Sequence, residues 1–197
     1  VLYEMLDGQG RLRLSTEHYG IELLIGPSKV PPFSKYENHF KRHYELEHFC
    51  RNSVSGKITL DGIDHAIDSN CSYQDHCFGN VPCRTGWHWV ALQNESLFLT
   101  SLVNYGPYGQ KYTHVYEGKE WVRLDQNVTF ESNPDNPRED WRITSPDLDL
   151  ILSVRGMVRK ITRIPPLVPF LISVNHAEFS VEASGRIRIN GTWHTVR

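Results

Sequence analysis

Between Ser72 and Asn94 the chain reads SYQDHCFGNVPCRTGWHWVALQN, which crowds Asp75, His76, Arg84, Trp87, His88 and Trp89 into one short stretch. A carboxylate beside an imidazole can pass protons near neutral pH, and indole rings supply apolar walls that exclude water from such a transfer. The spacing predicts a polar loop over Tyr73 to Gly79 that turns at Pro82 into a strand, Gly86 to Gln93. One reading of this stretch is an acid/base pair at the rim of an aromatic-lined pocket. The other is a loop whose polar side chains satisfy its own backbone, above two core tryptophans.

The elements around this stretch read as antiparallel β structure. Tyr3 to Leu6 and Arg11 to Ser15 flank Asp7-Gly8-Gln9-Gly10, and Ile58 to Leu60 and His65 to Ile67 flank Asp61-Gly62; both are hairpin signals, because glycine supplies the positive φ a tight turn needs. Further short strands are expected at Ile21 to Ile25, Leu97 to Tyr105, Lys111 to Tyr116, Trp121 to Leu124, Val128 to Glu131, Asp140 to Ile143, Leu148 to Val154, Glu178 to Glu182 and Arg186 to Ile189. That many strands at close spacing suit a barrel or a sandwich rather than alternating βα units. The segment Lys35 to Arg42, with Ser34 as N-cap and Glu37 three residues on, predicts one or two helical turns. No internal repeat or low-complexity tract is evident.

Period-two alternation sorts the side chains by face. Trp87, Trp89, Ala91 and Gln93 share one face of their strand, and His88, Val90 and Leu92 share the other. On the next strand both faces are largely apolar, as in a sheet covered on both sides or a barrel with an apolar lumen. An open lumen would admit a small hydrophobic ligand, whereas a filled core gives the same pattern.

Composition excludes several function classes. Twenty-one basic residues face 23 acidic ones without long runs of either sign, a net charge of -2, so no electrostatic footprint for nucleic acid is present. No apolar run approaches the roughly 20 residues that span a bilayer as a helix. Four cysteines, Cys50, Cys71, Cys77 and Cys83, show no CxxC spacing and are too few for a disulfide scaffold. Asn-x-Ser/Thr sequons at Asn70, Asn94, Asn127 and Asn190 point toward secretion. No signal peptide is recognisable, which slightly favours the cytoplasm and leaves the compartment open.

His39, His43 and His48 lie with Glu45 and Glu47 in HFKRHYELEH, where a helix would bring His39 and His43 onto one face. The Glu that follows the first His of a helical zinc motif is missing. If Tyr44 to Cys50 is a strand, Glu45 and Glu47 share one face and His48 takes the other, which breaks the cluster; no metal or other cofactor is expected. A Gly-x-Ser-x-Gly elbow and a phosphate-binding glycine loop are both absent.

The succession GKITLDGIDHAI, SYQDHCFGNVPCRTGWHWVALQN, YEGKEWVRLDQNVTFES, DWRITSPDLDLILSV and HAEFSVEASGRIRINGTW resembles the lipocalin-like superfamily that contains carotenoid 1,2-hydratase (hydroxyneurosporene synthase). It is most similar to a domain-of-unknown-function family within that superfamily. The specific part is the D-H loop followed by T-G-W-x-W, and the likeness runs from Tyr44 to about Thr195. It implies an all-β, antiparallel lipocalin-like (calycin-like) barrel over residues 44–197. Members generally have two such lobes, so residues 1–43 are expected to be strands and a connecting segment left from a preceding lobe, with part of that lobe missing before Val1.

The resemblance also implies a hydrophobic ligand of isoprenoid or polyketide type and acid-driven alkene chemistry of hydratase or cyclase kind. Protonating an alkene carbon needs a positioned acid and surroundings that stabilise the cation. Asp75 would be the acid and His76 its orienting or proton-accepting partner. Trp87 and Trp89 would present π faces to the developing charge, an effect of about 0.5 to 2 kcal/mol each. Tyr73, Asn104 and Tyr105 would place a water, and Arg84 would pair with a carboxylate. Two other classes stay open: a carrier of a hydrophobic ligand without catalysis, and a β-sandwich carbohydrate-binding module that uses exposed Trp and Tyr. Substrate identity and oligomeric state are not encoded legibly.

Overall fold

The computed structural model describes residues 2–6, 9–39, 42–79, 86–105, 111–163 and 173–197. The fold is all-β and antiparallel, with no helix among the described residues. Among the described residues fifteen strands follow one another: β1 (Leu2–Leu6), β2 (Gln9–Ser15), β3 (Tyr19–Ser28), β4 (Phe33–His39), β5 (Arg42–Leu60), β6 (Ile63–Gly79), β7 (Trp87–Gln93), β8 (Phe98–Asn104), β9 (Lys111–Tyr116), β10 (Trp121–Arg123), β11 (Thr129–Glu131), β12 (Trp141–Ser145), β13 (Leu148–Arg163), β14 (Ser173–Ile189) and β15 (Thr192–Val196). They form three sheets: β1-β2-β3-β5-β4 with β6 also on β5, then β10-β9-β8-β7, and β11-β12-β13-β14-β15. Among the described residues these sheets are open paths, compatible with a lipocalin-like barrel without closing one.

Two compact units divide the chain. The first comprises Val1–Gly86, Ala91–Leu99 and Val115–Val122; the second comprises Trp87–Val90, Thr100–His114 and Arg123–Arg197. In the first, Val30, Cys50, Phe98 and Tyr116 make a buried cluster with Tyr73, Ala91 and Trp121 packed on it. In the second, Ile143, Leu148, Leu150 and Ile187 are buried along β12, β13 and β14, where every second residue points inward.

Both hairpin signals are realised. Leu6 pairs with Gln9, so β2 begins inside what reads as a four-residue turn; Asp7 and Gly8 lie outside the described residues. Leu60 pairs with Ile63 across Asp61 and Gly62, both at positive φ (49° and 80°), as a two-residue type I′ turn requires. Two expectations are overturned. Residues 33–39 form β4, paired with β5 from Phe33↔His48 to His39↔Arg42, instead of the helix expected over Lys35 to Arg42. A two-turn helix is marginal by itself, and the β5 ladder satisfies the same backbone groups. Tyr73 to Gly79 is likewise no loop but the end of β6, paired with Tyr44 to Cys50. Its density of polar residues reads as a loop, whereas the β5 ladder pairs its backbone as strand.

A repeat hidden in the composition emerges from the pairing. Ser55-Gly56-Lys57-Ile58-Thr59-Leu60-Asp61-Gly62 in the first unit matches Ser184-Gly185-Arg186-Ile187-Arg188-Ile189-Asn190-Gly191 in the second. Gly56 lies between Leu23 and Ile67, and Gly185 lies between Leu150 and Val196, at φ of 140° and 135°. Asn190 and Gly191, at 49° and 85°, repeat the turn of Asp61 and Gly62. Each strand glycine is required twice over, by its φ and by the neighbouring strand: a methyl group would strike the Glu22 carbonyl at Gly56 and the Asp149 carbonyl at Gly185.

Gly56→Ala and Gly185→Ala are therefore expected to destabilise by about 1 to 3 kcal/mol or more in urea unfolding. Gly86→Ala, at a position with open space and no positive φ, should stay within about 0.5 kcal/mol of the wild type.

Candidate functional site

The antiparallel register of β5 and β6 sets out the side chains that could do chemistry. His48 lies opposite Asp75, Cys50 opposite Tyr73, and on the other edge of β5 Phe33 lies opposite His48. Directly opposed residues project to the same face, so Phe33, His48 and Asp75 form one row across three strands, with Cys50 and Tyr73 next to it. Beyond Cys50 the pairing shifts, and Arg51 adopts φ 55°, an irregularity that lets Asn52 and Val54 stay buried on the same side as His48. The Arg51 guanidinium donates to the Glu95 carbonyl.

His48 is completely buried. Its Nδ1 shares a short hydrogen bond with the Tyr73 hydroxyl. Its ring stacks on Phe33 (5.6 Å between centroids, 24°) and on Tyr73 (5.7 Å, 29°), and Tyr73 stacks on Phe98 (5.5 Å, 25°). Trp121 closes this aromatic run against Phe33, Phe98 and Tyr116 at 5.3 to 5.7 Å, its indole N–H donating to the Pro31 carbonyl at 2.8 Å. Asp75, at the end of the row, is exposed. A polar pair thus sits among aromatic rings with a carboxylate beside it at the solvent side. Cys50, beneath, is held neutral: burial pushes its thiol up to about 12.

The second unit carries another histidine–tyrosine contact. His88 Nδ1 lies 2.8 Å from the Tyr105 hydroxyl, and burial holds the imidazole below its ordinary value of 6.5 while raising the Tyr105 phenol. Trp87 and Trp89 occupy the alternate face of β7 and are 43% and 38% exposed, so they are not core residues. Trp87 meets His176 edge-on at 6.4 Å. Asn104 ends β8, half-buried.

Of the residues singled out in the sequence, Tyr73 and Asp75 share a strand and a unit, whereas Trp87, Trp89, Asn104 and Tyr105 belong to the other unit. Arg84 lies outside the described residues, as does the side chain of His76, whose backbone pairs with Glu47. His48 was visible only as part of a histidine cluster, and of that cluster the side chains of His39 and His43 lie outside the described residues. The signal that finds it is the alternation of Leu46, His48 and Cys50 on one face, which matters only once that face is known to be buried.

No protein-family model matches the chain, and no curated protein matches it. The fold does have solved relatives. A candidate AttH from Nitrosomonas europaea superposes with a TM-score of 0.61 at 14% identity, over 77% of this chain and 54% of that one. Kievitone hydratase from Nectria haematococca superposes with a TM-score of 0.55 at 15% identity, over 75% and 52%. At such identity the likeness is one of fold: this is a lipocalin-like all-β protein. The chain spans about half the length of these two structures.

Two measurements follow from the geometry. Alkylation of the native protein followed by peptide mass mapping should modify Cys71, which is partly exposed, well before Cys50, which should react only on unfolding. The His88 ring, followed by NMR, should titrate with a midpoint below 6.5. Because the unfolded chain then takes up the proton first, the contribution of His88 to stability is complete above about pH 6.5 and is lost as the pH falls toward its lower folded-state value.

Proposed function

We propose that the protein binds a hydrophobic small molecule of isoprenoid or polyketide type and hydrates or cyclises an alkene in it by proton transfer. The observation that carries this reading is the row of Phe33, His48 and Asp75 with Tyr73 bonded to His48. Asp75, on the exposed side, delivers the proton to an alkene carbon of a ligand lying at the end of the row. Water adds to the cation that results, and its surplus proton passes through the Tyr73 hydroxyl to His48. The net change is the addition of one water to the alkene, and the site is reset when His48 gives its proton up to solvent and Asp75 takes one from solvent. Arg84 is retained as a partner for a carboxylate. The relation in fold to a hydratase supports the reaction class without assigning it.

A second reading has its own support. Trp87 and Trp89 stand half-exposed on one face of β7, as expected of an aromatic platform for carbohydrate.

Incubation with geranylgeraniol in ¹⁸O-labelled water should yield a product that has gained one labelled water. Asp75→Asn keeps the side-chain shape and should lower turnover by about 100-fold or more with little change in affinity, and Tyr73→Phe should lower it as well. An Asp75→Asn protein as active as the wild type would remove the acid role. Saturable binding of cello- or xylo-oligosaccharides that disappears in a Trp87→Ala, Trp89→Ala protein, with no response to isoprenoids, would instead establish the carbohydrate reading.

A further inference from the structure

We propose that His88 and Tyr105, enclosed by Phe130 and Trp141, form a second ligand site that selects a flat ring bearing one oxygen atom. It lies wholly in the second unit and does not depend on the reading of His48, Tyr73 and Asp75. Three rings surround His88: Tyr105 at 5.1 Å and 79°, Phe130 at 5.4 Å and 47°, and Trp141 at 5.3 Å and 81°. Trp141 is fixed in turn by its indole N–H, which donates to the Pro137 carbonyl at 3.0 Å, and by Phe179 at 5.1 Å. The polar atom of Trp141 is thereby used within the fold, and its ring offers an apolar surface.

A histidine and a tyrosine that merely satisfied one another in a core would both be covered. Here His88 is partly buried among rings, yet Tyr105 is 56% exposed. The pair therefore joins a half-buried imidazole to a tyrosine that stands largely in solvent, with burial around the bond raising its phenol. A hydroxyl has one hydrogen and two lone pairs, and a neutral imidazole nitrogen either donates or accepts. When His88 Nδ1–H donates to the Tyr105 oxygen, the tyrosine O–H is free for a ligand carbonyl. When a ligand hydroxyl donates to that oxygen, the tyrosine O–H donates to Nδ1. Either way one oxygen on the ligand completes a chain that ends on a half-buried imidazole, and the ligand ring meets the neighbouring aromatic edges and faces, which prefer such offset or edge-on contacts.

The probes are 2-naphthol and 2-methylnaphthalene, which share a shape and differ in the oxygen. NMR titration should move the His88 ring signals saturably with 2-naphthol, and its affinity should exceed that of 2-methylnaphthalene by about three- to tenfold, the range of one neutral hydrogen bond. Tyr105→Phe, at an exposed position that leaves the packing in place, should abolish the preference, and Tyr73→Phe should leave it intact. Equal affinity for the two probes, no movement of the His88 signals, or a preference that survives Tyr105→Phe would overturn the proposal. If the preference is instead lost in Tyr73→Phe, the oxygen is read in the first unit and this site is likewise refuted. Loss of alkene hydration with the naphthol preference retained would count against the reading of the first unit alone.

Discussion

The register between β5 and β6 is the constraint on which the rest of the first unit depends. It is fixed at one end by the two-residue turn at Asp61 and Gly62, which permits Leu60 to face only Ile63. Counting from that turn, two compensating shifts near Arg51 bring Cys50 opposite Tyr73 and His48 opposite Asp75. A slip of one residue would send Tyr73 and Asp75 to the other face, because side chains alternate with a period of two. The aromatic stack would then lose Tyr73, and His48 would lose its hydrogen-bond partner in a fully buried position, where an unsatisfied polar group costs about 1 to 3 kcal/mol. Register and chemistry are thus held by the same contacts.

The second unit uses the same devices with different consequences. Gly185 repeats the close approach made at Gly56, and Asn190 with Gly191 repeats the turn. The surface near that turn, however, is built from charge: Arg186 and Arg188 lie over the Trp193 ring at 4.7 and 5.8 Å, with Arg186 paired to Asp149 and Arg188 to Asp147. Arg188, bonded to the less exposed Asp147 at 2.8 Å, ties β14 to the β12–β13 turn. A common backbone frame therefore carries an aromatic polar row in one unit and a solvated ion-pair network in the other.

Two histidine–tyrosine bonds, one in each unit, differ in what they can reach. The pair of His48 and Tyr73 lies inside the aromatic stack, next to the exposed Asp75. That of His88 and Tyr105 opens directly at the tyrosine. The first arrangement holds a hydrogen-bonded pair among rings, where electrostatic effects are stronger than in bulk water. The second suits recognition of a polar atom by a hydroxyl already oriented from behind.

The sequence by itself determined the strand-rich antiparallel class, the Asp61-Gly62 turn and the alternation of Trp87 and Trp89 against His88, since these follow from local φ preferences and a period of two. The same residues also implied a lipocalin-like fold through their order along the chain. Tertiary structure decided that 33–39 is a strand, because a ladder with β5 satisfies the backbone that a short helix would leave marginal. It also decided that the polar end of β6 is paired, and so which imidazole faces Asp75. His48 and Asp75 are distant in sequence, and no local pattern connects them. Only the long hairpin, with its turn and its compensated shifts, carries that information, because cross-strand neighbours are set by counting back from the turn and not by proximity along the chain.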